Sequence, residues 1–301
     1  MVSSVQGSPL SGDESVTRLN PMFHDAGPTR LLAISPHLDD AVLSFGACLT
    51  QAARDGAKVT VYTVFAGTAP PPYSPAAARM HEIWGLSPDD DAPLYRREED
   101  IAALGHLGVE HLHGRFLDTI YRKLPDGGWL ADHVEGGQKL AINEKAPDRD
   151  QDLVAEIKDE IKALIEEHEP TLLVTCAAVG GHPDHETARD AALLAAHETN
   201  VPARLWEDLP YAVFRPGAVE LPQGFRLGSP EFTPVEDEAR ARKFRSVEYY
   251  PSQLAMLNGR DKNLFERLET HARKTAPDGG YGETTWPVVT ADESTAAPVP
   301  G

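Results

Sequence analysis

Apolar and polar residues follow two different spacings along this chain, and each spacing predicts one kind of element. Residues 30–35 and 58–65 are short runs rich in apolar and β-branched residues, which are typical of buried strands. Between them, apolar residues recur at helical spacing over 41–54, and Gly56 follows as a helix stop. A strand, a helix and a second strand in this order predict a right-handed parallel unit.

A second arrangement of the same kind lies further along the chain. An amphipathic helix that begins after Asp150 is followed by a strand over 171–175, and an alanine-rich helix then runs to about His197. We therefore predict an α/β fold with a Rossmann-like, mostly parallel sheet and helices on both of its faces. A helical and irregular C-terminal extension is expected to follow.

Composition marks the ends of the predicted domain. Residues 1–28 are rich in Ser, Gly and Pro and show no periodicity, so we expect a flexible N-terminal extension. Residues 275–301 are rich in Pro, Gly and Thr, and we expect a flexible tail there. The residues between them, 29–274, are predicted to form a single domain.

The charge balance narrows the range of partners. Lys and Arg number 28 against 47 Asp and Glu, which gives a formal net charge of -19. No basic cluster stands out, so neither nucleic acid nor an anionic membrane surface is expected as a partner. The first residues lack a basic and apolar leader, and no window approaches the ~20 apolar residues of a membrane span. We therefore expect a cytoplasmic protein without membrane insertion.

Charged side chains gather in the loops that follow two of the predicted strands. The first loop carries His37, Asp39 and Asp40, and the second carries His182 and His185. Because the carboxyl ends of parallel strands meet at one edge of a sheet, we expect the two loops to converge there. The first loop has no G-x-G-x-x-G pattern, which counts against a dinucleotide as ligand.

The residue types in these loops favour a catalytic zinc site. Two histidines and a carboxylate that leave one coordination position open to water form a ligand set of such sites. A further carboxylate near that water can act as general base, and a remaining histidine can stabilise the oxyanion or protonate the leaving amine. Asp39 and His182 are the residues left for these two roles.

The motifs P-H-L-D-D at 36–40 and G-H-P-D-H at 181–185 resemble those of the PIG-L/LmbE-like family of zinc-dependent de-N-acetylases. The resemblance extends over about residues 30–257. It implies removal of an N-acetyl or other N-acyl group from an amino sugar or a sugar-bearing metabolite, which would be the partner. Two alternatives stay open: a metal-dependent hydrolase of another amide-bearing metabolite, and a non-catalytic α/β module that binds a metal or a nucleotide.

The resemblance also implies a role for individual residues. Three of them correspond to the ligands of one Zn²⁺ per chain: His37, Asp40 and His185. Asp39 corresponds to the general base, and His182 to the group that stabilises the tetrahedral intermediate. Asp184 is expected to orient a neighbouring histidine, as carboxylates behind a metal ligand do.

Three charged residues outside the two motifs are candidates for a supporting role or for substrate contact: Arg96, Asp118 and Asp208. Arg96 opens a helix, where it is either part of a solvated face or a ligand for a substrate hydroxyl or phosphate. Asp118 leaves a strand end and is either solvated or in contact with substrate. Asp208 is expected to form a polar wall of the pocket, since the zinc ligand set is already complete.

The chain departs from the family motifs at two places. The first motif is commonly P-H-P-D-D-E, whereas this chain has Leu38 and Ala41 at the third and sixth positions, so an acidic contact is missing. Some members place a tyrosine two residues before the first histidine of the second motif, where this chain has Gly180. A phenol that assisted the reaction would have to come from one of five other residues: Tyr73, Tyr121, Tyr211, Tyr249 and Tyr250.

Overall fold

The computed structural model describes residues 29–136, 139–214, 219–258 and 263–290. The strands in these ranges are β1 Arg30–Ser35, β2 Lys58–Thr63, β3 Glu110–His113, β4 Ala131–Val134, β5 Leu140–Ile142, β6 Leu172–Cys176, β7 Ala203–Trp206, β8 Phe225–Leu227, β9 Glu231–Pro234 and β10 Gly282–Thr290. The helices are α1 Asp40–Arg54, α2 Pro75–Ile83, α3 Ala92–Leu107, α4 Gln151–His168, α5 Pro183–Glu198, α6 Tyr211–Phe214, α7 Asp237–Val247, α8 Pro251–Leu257 and α9 Leu264–Thr275, with a 3₁₀ turn at Thr119–Tyr121.

Five parallel strands form the part of the sheet that carries the two motifs. Their order is β3-β2-β1-β6-β7, and β1 is paired on both sides, with Leu31 opposite Val59 of β2 and Leu172 of β6. Such strands are buried on both faces, which explains why β1 and β6 consist mainly of apolar residues. The predicted mostly parallel sheet is confirmed, and the loops after β1 and β6 lie side by side at its carboxyl edge.

Helices cover both faces of this sheet, as predicted. α1, α3 and α7 pack together on one face, where Phe45 and Leu49 of α1 are fully buried. α4 and α5 pack on the other face, with Ile157 and Ile161 of α4 fully buried. Each buried side chain of this size contributes about 1.5–3 kcal/mol relative to leaving it exposed. These two apolar layers hold β1 and β6 in place, and with them the loops at their ends.

The sheet continues beyond β7 with β10, which runs antiparallel to it and pairs with β8 and β9 on its other side. The prediction of a flexible tail over 275–301 is therefore wrong for 282–290. Pro287 and the nearby glycines resemble a loop in composition, but neighbours on both sides supply the hydrogen bonds that stabilise the strand. The predicted flexible segment 1–28 and residues 291–301 lie outside the described residues.

β10 also brings a buried charge to the first helix. Glu283 accepts hydrogen bonds from the Ala47 and Cys48 N–H groups, at 3.2 and 2.8 Å, and from Lys243 Nζ of α7 at 2.6 Å. The last strand thus joins α1 and α7. None of the helices in the described ranges is both long and apolar enough to cross a membrane.

Candidate metal centre and active site

The turn after β1 holds two of the predicted site residues together. The His37 backbone N–H donates to Asp40 Oδ2 at 2.9 Å, which fixes the carboxylate at the start of α1. The Ser35 hydroxyl donates to the His37 carbonyl oxygen at 2.8 Å and accepts a hydrogen bond from the Ala41 N–H. The backbone of the turn therefore positions both side chains at the carboxyl edge of the sheet.

The turn after β6 presents the second motif. Gly180 and Gly181 have φ angles of 99° and 70°, which residues with a side chain rarely adopt. His182 then caps α5, because its Nδ1 accepts the Asp184 N–H at 3.2 Å. His185 follows in the first turn of the helix and is 3% exposed.

The two turns bring His37, Asp40 and His185 to one point. Asp40 Oδ2 lies 3.3 Å from His37 Nδ1 and 3.2 Å from His185 Nε2. One ligand atom from each residue lies within 4.8 Å of the others, and all three residues are buried. The arrangement has the residue types and the spacing of a three-ligand metal site.

The outer nitrogen of each histidine is held by a second carboxylate. His37 Nε2 lies 3.0 Å from Asp184 Oδ2, and His185 Nδ1 lies 2.8 Å from Asp208 Oδ1. Since an ionised carboxylate only accepts, this network assigns the N–H of a neutral ring to the outer nitrogen, and the inner nitrogens then face Asp40 with their lone pairs. Lone pairs that face one carboxylate oxygen repel it unless positive charge, either protons on the inner nitrogens or a metal ion, lies between them. The donor set therefore fits a zinc ion.

The same geometry attracts positive charge to the cluster. Burial alone lowers the pKa of His37, but Asp118, Asp184 and Asp40 together raise it to about 9. Burial also lowers the pKa of His185, yet Asp40 holds it well above its usual value. The pKa of Asp40 lies well below its usual range, because the two histidines outweigh the opposite effect of burial.

Asp39 lies beside this cluster and is held by Arg96. Its Oδ1 is 3.6 Å from Arg96 Nη2, and the same nitrogen donates to the Leu38 carbonyl oxygen at 3.2 Å. The guanidinium stacks on the Trp84 ring at 4.6 Å, and Arg96 is 6% exposed, so the interpretation of a solvated face is wrong for this residue. Burial and the neighbouring Asp40 raise the pKa of Asp39 to about 8, against the opposing effect of Arg96.

His182 completes a triangle of imidazole rings. Its ring centroid lies 5.0 Å from that of His37 and 5.3 Å from that of His185. Because its Nδ1 accepts the Asp184 N–H, its own proton is assigned to Nε2, where it is available for donation. Burial, helped by the two neighbouring histidines, lowers the pKa of His182 to about 3, so the ring stays neutral.

Residues 32–196, which contain both turns, match the family described as PIG-L, GlcNAc-PI de-N-acetylase. The chain belongs to the PIG-L family. Among solved structures, the zinc-inhibited form of teicoplanin deacetylase Orf2 has 71% sequence identity and a TM-score of 0.85, over 88% of this chain and 100% of that one. The A40926 pseudoaglycone deacetylase Dbv21 has 56% identity and a TM-score of 0.76, over 88% and 98%. The predicted family and fold are confirmed.

More distant relatives of this PIG-L chain are named for the deacetylation of a different compound. The 1D-myo-inositol 2-acetamido-2-deoxy-alpha-D-glucopyranoside deacetylase of Streptomyces avermitilis is 33% identical over 60% of this chain, and the match spans only 56% of that protein. The corresponding deacetylase 1 of Saccharopolyspora erythraea is 29% identical over 80% of each chain. The chain thus spans about half of the first of these relatives.

The PIG-L site also includes two residues, Thr119 and Arg122, whose contact with Asp184 the sequence did not predict. Asp184 is fully buried and accepts hydrogen bonds from the Thr119 N–H at 2.9 Å, from its hydroxyl at 2.7 Å and from Arg122. Arg122 is the main influence that holds the pKa of Asp184 below its usual range against the effect of burial. Thr119 and Arg122 come from the turn after β3, and no local signal connects that turn with the second motif.

The two remaining candidates both lie inside the PIG-L site. Asp118 Oδ2 is 3.6 Å from His37 Nε2, and burial raises the pKa of Asp118, so it is not a solvated loop residue. Asp208 is 1% exposed; besides His185 it contacts the Val179 N–H, which donates to its Oδ2 at 3.1 Å. Asp208 thus lies behind a histidine rather than in an open wall of the pocket.

Proposed function

We propose that this protein is a zinc-dependent hydrolase that removes the acetyl group from the nitrogen of an amino sugar carried by a larger molecule. One observation carries the proposal: the inner nitrogens of His37 and His185 converge on one oxygen of Asp40, and one ligand atom from each of the three residues lies within 4.8 Å of the others. Asp184 and Asp208 hold the outer nitrogens and keep the two rings in that orientation.

His37, Asp40 and His185 would hold one zinc ion per chain. Three protein ligands leave a coordination position for substrate or water, as in other catalytic zinc sites. When bound, the ion polarises the acyl oxygen and lowers the pKa of a coordinated water to about 7. The protein's own contribution is a buried cluster in which the histidines are turned toward one point before the reaction begins.

Asp39 acts as the general base in this proposal. It is not needed as a ligand, it lies next to Asp40, and Arg96 Nη2 is 3.6 Å from its carboxylate. The charges of Arg96 and of a bound zinc ion favour the carboxylate form, against the burial that raises the pKa of Asp39. A carboxylate in this place can take a proton from the attacking water and deliver it to the nitrogen that leaves. His182 cannot take a further proton at Nδ1, because that atom already accepts the Asp184 N–H. Its Nε2–H instead donates to the acyl oxygen as negative charge develops there.

The comparisons support a specific kind of substrate. The relatives with 71% and 56% identity are named for deacetylation of teicoplanin and of the A40926 pseudoaglycone. The relatives named for a 2-acetamido sugar on inositol are 33% and 29% identical. We therefore propose an N-acetylated amino sugar on a teicoplanin-like scaffold as substrate. A cytoplasmic location belongs to the same proposal and is tested by cell fractionation.

The proposal is tested by measuring bound metal and acetate release on the same purified protein. Elemental analysis gives the zinc content, and the substrates are an N-acetylated teicoplanin-type pseudoaglycone, N-acetylglucosaminyl-inositol and free N-acetylglucosamine. Zinc is limited to one equivalent, since a relative is named for a zinc-inhibited form. We expect chelator-sensitive release that is fastest on the pseudoaglycone. Absence of bound metal under metal-replete conditions would refute the site, and faster release from the inositol compound would refute the scaffold.

A further inference from the structure

One aromatic residue at the candidate site has no role in the reaction described above. Tyr211 is the first residue of α6 and follows Asp208 by three positions. Its ring meets the His185 ring edge-on, with the centroids 6.2 Å apart and the planes at 80°. Tyr211 is nevertheless 40% exposed, whereas His185 beneath it is 3% exposed. The phenol therefore lies at the boundary between the buried cluster and solvent, where a substrate would enter.

The other four tyrosines considered from the sequence are engaged elsewhere or lie away from the cluster. The Tyr121 hydroxyl bonds to His81 Nε2 at 2.7 Å, and the Tyr73 ring packs edge-on against the same histidine. The Tyr250 hydroxyl donates to Asp100 Oδ1 at 2.6 Å. The Tyr249 ring packs on a histidine of α3. Among the described residues, the Tyr211 hydroxyl has no hydrogen-bond partner, so it can donate to a substrate.

The backbone next to Tyr211 leaves space for such a contact. Gly180 has a φ of 99°, and a Cβ built on it would lie 4.0 Å from the Tyr211 Cβ, with nothing nearer. A larger side chain at this position would enter the space beside the phenol. The glycine thus opens the side of the site on which the Tyr211 ring lies, next to Asp208 and His185.

We propose that Tyr211 is a catalytic residue of the deacetylation, and that its hydroxyl donates a hydrogen bond to the acyl oxygen as that oxygen becomes negatively charged. The inference rests on the proposed function. When the water oxygen bonds to the acyl carbon, the π electrons of the carbonyl move to the acyl oxygen, and they return when the carbon–nitrogen bond breaks. Tyr211 keeps its proton throughout, and the nitrogen receives its proton from Asp39. His182 and Tyr211 thus supply two donors to one oxygen.

The test compares Tyr211→Phe with Tyr249→Phe, since each variant removes one hydroxyl from a similarly exposed tyrosine. Loss of a donor that acts only in the transition state lowers kcat by about 100-fold and leaves KM unchanged. We expect this for Tyr211→Phe, with zinc still at one per chain, and wild-type kinetics for Tyr249→Phe. A Tyr211→Phe variant with wild-type kcat would overturn the inference. This holds even if Tyr211→Ala raises KM, because that result would show only that the ring contacts the substrate.

A binding measurement separates the hydroxyl from a general loss of activity. A methylphosphonamidate analogue of the amino sugar carries tetrahedral geometry and negatively charged oxygens at the position of the acyl group. We expect Tyr211→Phe to bind this analogue about 100-fold more weakly than wild type. In an Asp39→Asn background, in which turnover is slowed by about 10²–10⁴-fold, the N-acetylated substrate should bind equally well with Tyr or Phe at 211. Equal binding of the analogue by both proteins would overturn the inference.

The outcome for Tyr211 is distinguishable from the outcome for the proposed function. If the wild-type protein binds no zinc or releases no acetate in a chelator-sensitive way, the proposed function fails, whatever the variant does. If the wild-type protein is active and Tyr211→Phe equals it in kcat and in affinity for the analogue, only the role of Tyr211 fails.

Discussion

Two groups of buried charges in this protein are built in opposite ways. Lys243 and Glu283 are 1% and 5% exposed, and the lysine Nζ lies 2.6 Å from a glutamate oxygen. Glu283 also accepts two backbone N–H groups of α1, so both of its oxygens have donors. At the metal centre, the inner nitrogens of His37 and His185 instead face the same oxygen of Asp40. The first group is complete within the protein, whereas the second requires added positive charge, either protons or a metal ion, between the rings and Asp40.

The difference shows which buried charges serve stability and which serve chemistry. Burial lowers the pKa of Lys243, but Glu283 raises it above its usual value, so the pair keeps its charges in the interior. Breaking such a pair leaves an unpaired buried charge and destabilises the fold. At the metal centre, a bound ion supplies the positive charge that the cluster requires, so folding and metal affinity are linked. Substitutions in the two groups should therefore change different quantities.

The largest effect is expected from His185→Ala at the metal centre. The variant removes one of two imidazole ligands, so zinc content should fall well below one per chain and acetate release should fall to the rate of the chelated protein. His197→Ala, on the same helix but at its far end, is the matched control and should keep both. Elemental analysis and acetate release measure the two quantities. A His185→Ala protein with a full complement of zinc would remove His185 from the ligand set.

The next largest effect is expected from Asp39→Asn, which keeps the shape of the side chain but removes the base. Loss of a general acid or base lowers kcat by about 10²–10⁴-fold. Zinc content should stay at one per chain, because Asp39 lies beside the ligands and does not face the histidine nitrogens. Steady-state kinetics and elemental analysis on the same sample give the result. A wild-type kcat in this variant contradicts the role of Asp39.

Lys243→Met should change stability rather than chemistry. Removing one partner of a buried ion pair costs about 3–5 kcal/mol, because Glu283 is then buried without its counter-charge. Urea unfolding should show this loss, while zinc content and kcat of the folded protein stay at wild-type values. The double variant Lys243→Met with Glu283→Gln should lose less, since no charge is left unpaired. Loss of zinc in the single variant would mean that the two groups are not independent.

The smallest effect is expected from Asp208→Asn, which acts on zinc through His185. Changing a carboxylate that orients a metal-bound histidine typically lowers metal affinity by about 10–100-fold. Competition with a chelator of known affinity measures the change. Asp159→Asn, whose carboxylate is 74% exposed on α4, is the control and should leave zinc affinity unchanged. An unchanged affinity in Asp208→Asn would show that the orientation of His185 does not depend on this carboxylate.

The sequence predicted the elements whose signal is local. Apolar spacing within a few residues predicts the strands at 30–35 and 171–175 and the helices that follow them. The loops between these strands and helices carry both motifs. Contacts between distant segments were not predictable in this way. Thr119 and Arg122 hold Asp184 from a turn more than sixty residues earlier in the chain. Nothing in either local sequence reports that contact.

Two other differences between the prediction and the structure also arise from contacts between distant segments. Arg96 lies in the second turn of α3 among several charged neighbours, so its spacing resembles a solvated face, but the Trp84 ring and the Leu38 carbonyl bury it. β10 contains Pro287 among strand-forming residues, and its stability depends on partners at 204–206 and 231–234. The intrinsic helix or strand propensity of a segment is a weak predictor where such tertiary contacts determine its burial and secondary structure.

The position of Glu283 has a consequence for how the protein is made. The Cys48 N–H of α1 receives its carboxylate partner from a residue that is added to the chain 235 positions later. At a synthesis rate of ~5–20 residues per second, about 12–47 s pass between the two residues. During that interval Lys243, once made, also lacks its counter-charge. The contacts of α1 that need Glu283 therefore form late, after most of the sheet has been synthesised.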